Sequence, residues 1–578
     1  MKKAATIART SLTIIAVLLT ISATFAQSKA AKIDEIIQQY VTNRQFNGSV
    51  LVAEKGQVIF KKGYGMANME WNIPNTPDTK FRLGSITKQF TALLIMQLVE
   101  KGKLKLDGKV TDYLPDYPKA TGDKITVHHL LTHTSGIPNY TDVPGFLQNM
   151  ARDPYTPNSL VKTFSGKPLD FEPGTKFSYS NSGYFLLGVL IEKVTGKSYA
   201  DVLKENILTP LQLKDTGYDL FGPIIPKRAT GYEKAGNAYV NAPYLDMTIP
   251  YAAGSLYSTV EDLYRWDQAL YTDKLLTAKS KATLFTPFLD KYAYGWGVGN
   301  QKIGDLKDSL LVIQHSGGIN GFNTIISRIP KDKQLVVLLN NTGGAPLNAI
   351  RKNIVNILYN QPVEPPKKSI AESLRQPALT EPLDKLRARV STLKGNKAYA
   401  LDEGEINALG YELLREGKTQ PAFAIFNLNV ELFPNSDNVY DSRGEAYMTA
   451  GNKEAAIQDY KKSVELNPRN ANGFDKLKEL GETVAAPKDG TIDATTLESY
   501  VGNYQLAPAF SIAITREGDK LFGQATGQSR FELFAESKTK FYLKVVDAQV
   551  SFVANEKGEI DQLILHQNGQ NMPGKRIR

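Results

Sequence analysis

The chain has 578 residues, well beyond the roughly 250 to 300 at which a single core stops growing, so several domains are expected. It contains no cysteine, which excludes disulfides, thiolate nucleophiles and cysteine-bound metals together. Its formal net charge of +10 is not gathered into a basic run of the kind that grips nucleic acid, and no nucleic-acid partner is expected.

In chain order, Lys2, Lys3 and Arg9 precede an apolar run over residues 12–21, and Ala23 and Ala26 are small residues suited to cleavage. This pattern predicts a signal peptide over residues 1–26 and a periplasmic or secreted protein. The apolar run is too short to span a bilayer comfortably and no later stretch is long and apolar enough. The mature protein is therefore expected to carry no transmembrane anchor. A helix follows over 32–42, then a hairpin over 49–60 turning at Lys55-Gly56. Phe90, Leu93, Leu94, Leu98 and Val99 recur at helical spacing over 89–101, with Gly102 placed to cap the end. Residues 103–250, rich in Gly, Pro and Tyr with short helical pieces, suit loops built around a cleft. Strands are predicted over 294–298, 310–314, 323–329 and 335–339, and a helix over 346–359.

Strands at both ends with helices between predict an α/β domain over 31–360. It would hold an antiparallel sheet completed from both ends of the segment, flanked by helices and a helical subdomain. The Pro-containing stretch 361–382 reads as a linker. Gly410 and Gly444, Ala422 and Ala456, Phe426 and Tyr460, and Pro434 and Pro468 are each 34 residues apart. That is the tetratricopeptide (TPR) period, so residues 383–484 are expected to be α-helical TPR repeats with flanking helices, and their exposed face could hold a protein or peptide partner. Short strands and turns over 490–578 predict a small antiparallel β-barrel or sandwich.

Chemistry is carried by three motifs. Ser85 and Lys88 stand three apart at the start of a helix, so the amine can reach the hydroxyl and take its proton. The same S-x-x-K pattern occurs at Ser159, Ser391 and Ser537, and context must choose. Tyr179-Ser180-Asn181 follows 94 residues after Ser85, and His315-Ser316-Gly317-Gly318 begins 136 residues after Tyr179. Tyr239-Val240-Asn241 also fits Y-x-N but lacks the Ser-Gly-Tyr continuation. His129 and His133 are four apart, yet no acidic partner accompanies them. They read as structural, and neither a metal nor an organic cofactor is expected. Ser258 and Glu261 read as a capping box.

In order and spacing the three motifs resemble those of the serine β-lactamase and penicillin-binding-protein superfamily. The likeness is to its class C-like branch of D-alanyl-D-alanine carboxypeptidases and esterases. The stretches Lys80 to Gly84, His129 to Gly136 and Ala253-Gly254-Ser255 resemble the same branch. The resemblance implies a β-lactamase/transpeptidase-like fold in which Ser85 attacks a carbonyl and Lys88 and Tyr179 share the proton work, either one being the base. It further implies that Asn181 hydrogen-bonds Lys88 or the substrate amide, that His315 contacts substrate and that the amides of Ser85 and Gly318, beside Gly317, form an oxyanion hole. His315 stands where the lactamases carry lysine, which implies weak hold on a substrate carboxylate. The expected activity is hydrolysis of an ester or amide through an acyl-serine: a D-amino-acid peptide, a small ester or, weakly, a β-lactam. The rival reading is a slowly deacylating receptor for peptidoglycan or β-lactams that signals through its repeats.

Overall fold

Strand Gln334–Asn340 is buried along its whole length, and the sheet of the first unit is built outward from it. In this computed structural model the described residues are 28–143, 146–235, 238–467, 470–482, 494–507, 510–526, 530–535, 538–543, 548–555, 558–567 and 570–577. The expected signal peptide lies outside them. Among them, no helix is long and apolar enough to cross a membrane. They fall into two units: one running to Lys368 and taking in Asn396–Ala400, the other comprising Ser369–Gly395 and the residues from Leu401 onward.

The first unit holds β1 (Gly48–Glu54), β2 (Gln57–Tyr64), β3 (Gly297–Gln301), β4 (Leu310–Ile319), β5 (Phe322–Ile329) and β6 (Gln334–Asn340), in the order β3-β4-β5-β6-β1-β2. All neighbours are antiparallel, and β1 pairs Leu51 with Val337 and Val52 with Val336. Period-two alternation then sorts the side chains. Leu51, Ala53, Val337 and Leu339 face a core with Phe90 and Trp266. Val50, Val52, Val336 and Leu338 face another, with Ile33 and Ile37 of helix α1 (28–42) and Ile350 and Ile354 of a helix over Leu347–Leu358. Each fully buried aliphatic side chain of this kind stabilises the fold by about 1.5–3 kcal/mol. Trp266 stacks on Phe90 with centroids 4.2 Å apart. Beside it, the buried Arg328 donates to Asp267 at 2.7 Å, so neither charge is left unpaired in the interior.

Three expectations need correction. The strand expected over 294–298 starts only at Gly297, because Ala293 N–H closes a turn onto Trp296 O (2.7 Å) and Gly295 takes φ +76°. The helix after Ser258 is capped by Thr259, whose hydroxyl accepts from Asp262 N–H, while Ser258 is the last residue of a strand. The stretch 361–382 is not a linker. Its first part is tied to the first unit: Asn353 exchanges two hydrogen bonds with the Glu364 backbone (2.7 and 2.9 Å), and Asn356 donates to Pro362 O. Its second part is the helix Ile370–Thr380, with Ile370, Ala371, Leu374 and Ala378 buried on one face despite Pro377. A proline removes one backbone donor, and four buried apolar side chains outweigh that loss.

In the second unit, helices Glu403–Arg415 and Thr419–Leu432 repeat as Asp437–Thr449 and Lys453–Leu466. A Cβ on Gly410 would lie 2.7 Å from the Phe426 ring and one on Gly444 3.3 Å from Tyr460, so small residues let each helix pair close on its aromatic. Helices Leu383–Lys394 and Ala471–Glu479 flank the repeats in sequence. The C-terminal strands, from Gly502–Ala507 to Gln570–Ile577, form an eight-stranded antiparallel barrel. It is closed by pairing Asn503 with Ile577 and Gln505 with Lys575 around Tyr504, Leu521, Phe541, Phe552 and Leu563.

Candidate active site

Ser85 sits on a 3-10 turn, Gly84–Ile86, that runs straight into α2 (Thr87–Glu100). The turn is tied down from two sides: Leu83 N–H donates to Leu256 O (2.7 Å) and the Thr324 hydroxyl donates to Leu83 O (2.7 Å). Two glycines allow β4 to come this close. A Cβ on Gly317 would lie 1.9 Å from Leu83 O, and Gly84, at φ +56°, abuts Gly318. Beyond Gln314, β4 has no β3 partner, so the stretch His315 to Ile319 presents an open strand edge near Ser85.

Lys88 is the second residue of α2 and is wholly buried. Its Nζ has three neighbours: Ser85 Oγ at 3.1 Å, Asn181 Oδ1 at 2.9 Å and Ala253 O at 2.9 Å. Burial pushes its pKa well below that of an ordinary lysine. Two of these neighbours can only accept, so a neutral amine spends both hydrogens on Asn181 and Ala253. Its lone pair is left for the Ser85 hydroxyl. Asn181 opens α3 (Asn181–Thr195), its own N–H held by Asn139 Oδ1 (3.0 Å) and its Nδ2 donating to Thr141 Oγ1 (3.3 Å), which turns Oδ1 toward Lys88.

Tyr179 places its ring 4.8 Å from Lys88 Nζ. Burial pushes its pKa upward and a hydrogen bond with Ser85 offsets part of that rise, so the phenol keeps its proton. His315 is buried in β4, with Nδ1 2.6 Å from Ser316 O and Nε2 2.9 Å from the Tyr292 hydroxyl. A carbonyl cannot donate, so Nδ1 carries the proton and Nε2 accepts from Tyr292. Burial, aided by Lys88, lowers the His315 pKa to about 4. The fold thus brings Ser85, Lys88, Tyr179, Asn181, His315, Gly317 and Gly318 to one place.

Among the other described candidates of the first unit, His133 alone touches this cluster, its ring lying against that of Tyr179. Ser159 lies exposed in a short helix, its N–H donating to the capping Thr156 hydroxyl, Ser391 lies on an exposed helix position, and Ser537 is outside the described residues. Asn241 of the second Y-x-N match donates to Glu70 on a surface hairpin. His129 Nδ1 accepts from Thr126 N–H. Tyr292, Asn139, Thr141 and the Ala253 carbonyl escaped the sequence reading. The Ala253-Gly254-Ser255 stretch did point to its segment, but no residue type announces a backbone carbonyl.

A family model described as Beta-lactamase matches residues 33–360. The chain belongs to this family. A penicillin-binding protein of Bacillus subtilis (strain 168) is 31% identical to this family member over 438 residues, 71% of this chain and 91% of its own. FmtA from Staphylococcus aureus is 29% identical with a TM-score of 0.50, over 58% of this chain and 91% of that one. A D-amino acid amidase from Ochrobactrum anthropi SV3, solved with L-phenylalanine, is 27% identical with a TM-score of 0.50, over 58% and 99%. Two further models match: a tetratricopeptide repeat over residues 438–470 and a domain of unknown function (DUF3471) over 486–576. This member of a β-lactamase and penicillin-binding-protein-like hydrolase family therefore carries a repeat segment and a C-terminal barrel beyond its family domain.

Proposed function

We propose that this protein is an exported serine hydrolase that cleaves small neutral esters or amides, D-amino-acid derivatives among them, through an acyl-enzyme on Ser85. The observation that carries this reading is the set of three partners around Lys88 Nζ, which leaves a neutral amine one lone pair, directed at Ser85 Oγ. In acylation, Lys88 takes the Ser85 proton as Oγ bonds to the substrate carbonyl carbon. The tetrahedral oxyanion is held by the amides of Ser85 and Gly318, and the neutral Tyr179 phenol passes a proton to the departing oxygen or nitrogen. Water then adds to the acyl-serine, giving up its proton to the same groups, and Ser85 leaves with one. The preference for neutral substrates rests on His315: both ring nitrogens are engaged within the protein, so it offers no charge to a carboxylate. The amidase among the relatives supports the amide branch of the reading.

The test is intact-protein mass spectrometry with a fluorophosphonate, followed by turnover of p-nitrophenyl acetate. One adduct on Ser85, absent in Ser85→Ala, together with multiple turnovers, is the expected result. Labelling that survives the substitution refutes the nucleophile, and an ester-derived adduct that never clears would instead make the protein a receptor.

A further inference from the structure

The reading of His133 as merely structural leaves an arrangement unexplained. Its backbone carbonyl accepts from Ser178 N–H at 2.9 Å, and its ring Nδ1 accepts from Ser180 N–H at 3.1 Å. These are the amides on either side of Tyr179. Between them the imidazole lies against the Tyr179 ring, centroids 4.1 Å apart at 35°. One residue therefore holds the backbone before Tyr179, the backbone after it and the face of its phenol. His133 is itself over-determined: it is 1% exposed, takes a left-handed φ of 57°, and is flanked by Tyr184 (5.0 Å) and Tyr292 (4.6 Å). A non-glycine residue in that backbone region is uncommon and costs about 1 kcal/mol or more, so the surrounding packing must enforce it.

The ring's chemistry follows from the same contacts. Nδ1 accepts, so the proton of a neutral imidazole sits on Nε2, which finds no hydrogen-bond partner among the described residues. Burial and the nearby Lys88 and His315 hold its pKa well below the ordinary histidine value. A proton on Nδ1 would break the bond to Ser180, so the clamp works only while the ring stays in this one tautomer.

We propose that His133 is the positioning residue for Tyr179, setting the phenol against Ser85 through the Ser178 and Ser180 amides and ring stacking. This role rests on the reading of Ser85 and Tyr179 given above. It acts on proton transfer and not on substrate capture, so its loss should lower kcat and leave KM within about twofold.

Two substitutions separate the contacts. His133→Phe keeps a ring but strands the Ser180 N–H, whereas His133→Asn keeps an acceptor and tolerates the left-handed backbone. Each is measured alone and combined with Tyr179→Phe, by the rate of fluorophosphonate labelling at Ser85 and by kcat and KM for p-nitrophenyl acetate. His133→Phe should lose about 10- to 100-fold in labelling rate and kcat, the scale of a misplaced catalytic group, and His133→Asn should recover part of it. Neither should slow the Tyr179→Phe protein further, because a positioning effect disappears with the group positioned. If His133→Phe fails to fold, the cycle with His133→Asn carries the test through a smaller, equally non-additive loss. Variants that label at the wild-type rate, or whose losses multiply with that of Tyr179→Phe, overturn the role of His133 alone. A wild-type protein that does not label at all overturns the Ser85 reading and this role with it.

Discussion

Of the three neighbours of Lys88 Nζ, only the Ser85 hydroxyl can give as well as take a hydrogen, and this asymmetry ties the burial of a lysine to its chemistry. Lys88→Ala and Tyr179→Phe should each lower ester turnover by about 10² to 10⁴-fold with thermal unfolding little changed, and near-normal activity in either would move its proton work elsewhere. His315 makes a second prediction. Its folded pKa of about 4 lies below the ordinary 6.5, so the unfolded chain binds the extra proton. Its contribution to stability is fully present above 6.5 and drains away as the pH falls toward 4. Between about pH 7.5 and about pH 5 the loss should be about 2 kcal/mol in urea titrations, and smaller by that amount in His315→Gln, which cannot titrate. Equal pH dependence in the two proteins would refute it. The motif side chains were legible from sequence because their spacing is a linear signal. Tyr292 was not, since it reaches His315 across a turn that no spacing rule describes.

At the scale of elements, the approach of β4 to the Ser85 turn is governed by Gly317. An alanine there would drive its Cβ into Leu83 O, pushing apart the two amides assigned to the oxyanion. Gly317→Ala should therefore lower kcat by about 10²-fold or more with the repeats and barrel intact by circular dichroism, whereas Gly166→Ala, with open space around its Cβ and no left-handed backbone, serves as the control. An active Gly317→Ala protein would refute the geometry. The helices expected over 89–101 and 346–359 and the strands expected over 323–329 and 335–339 match to within two residues, whereas the strand expected over 310–314 runs on to Ile319 and the helix Asn181–Thr195 was not anticipated. Two other failures share a cause. Local rules set a strand over 294–298 and a linker over 361–382, yet a turn at Gly295 packed on α2 delayed the strand and a buried face sustained a helix through Pro377. The repeats were easier, because a 34-residue period requires the same residue to solve the same packing problem twice.

At the scale of the whole molecule, the first unit extends past the expected boundary at residue 360. The hydrogen bonds from Asn353 and Asn356 to residues 362–364 fall on the far side of it. A chain ending after Lys368 should unfold cooperatively and hydrolyse p-nitrophenyl acetate, while one ending at Gln361 should melt several degrees lower, each lost hydrogen bond contributing about 1 kcal/mol. Equal melting points would show that the strap adds nothing.

The order of the sheet has a consequence for how the protein is made. Strand β1 lies between β2, its hairpin partner, and β6, whose residue Leu339 pairs with Ser49 roughly 290 residues earlier in the chain. The hairpin therefore leaves the ribosome with one side unpaired and its apolar residues uncovered, and it stays so until most of the family domain has followed. Contacts of such long range fold slowly and expose sticky surface on the way. During refolding, amide protons of Val50 to Ala53 should gain protection only together with those of Leu335 to Leu339. A nascent chain halted between the two segments is then a substrate for chaperones and proteases, and no partly working enzyme precedes the finished one.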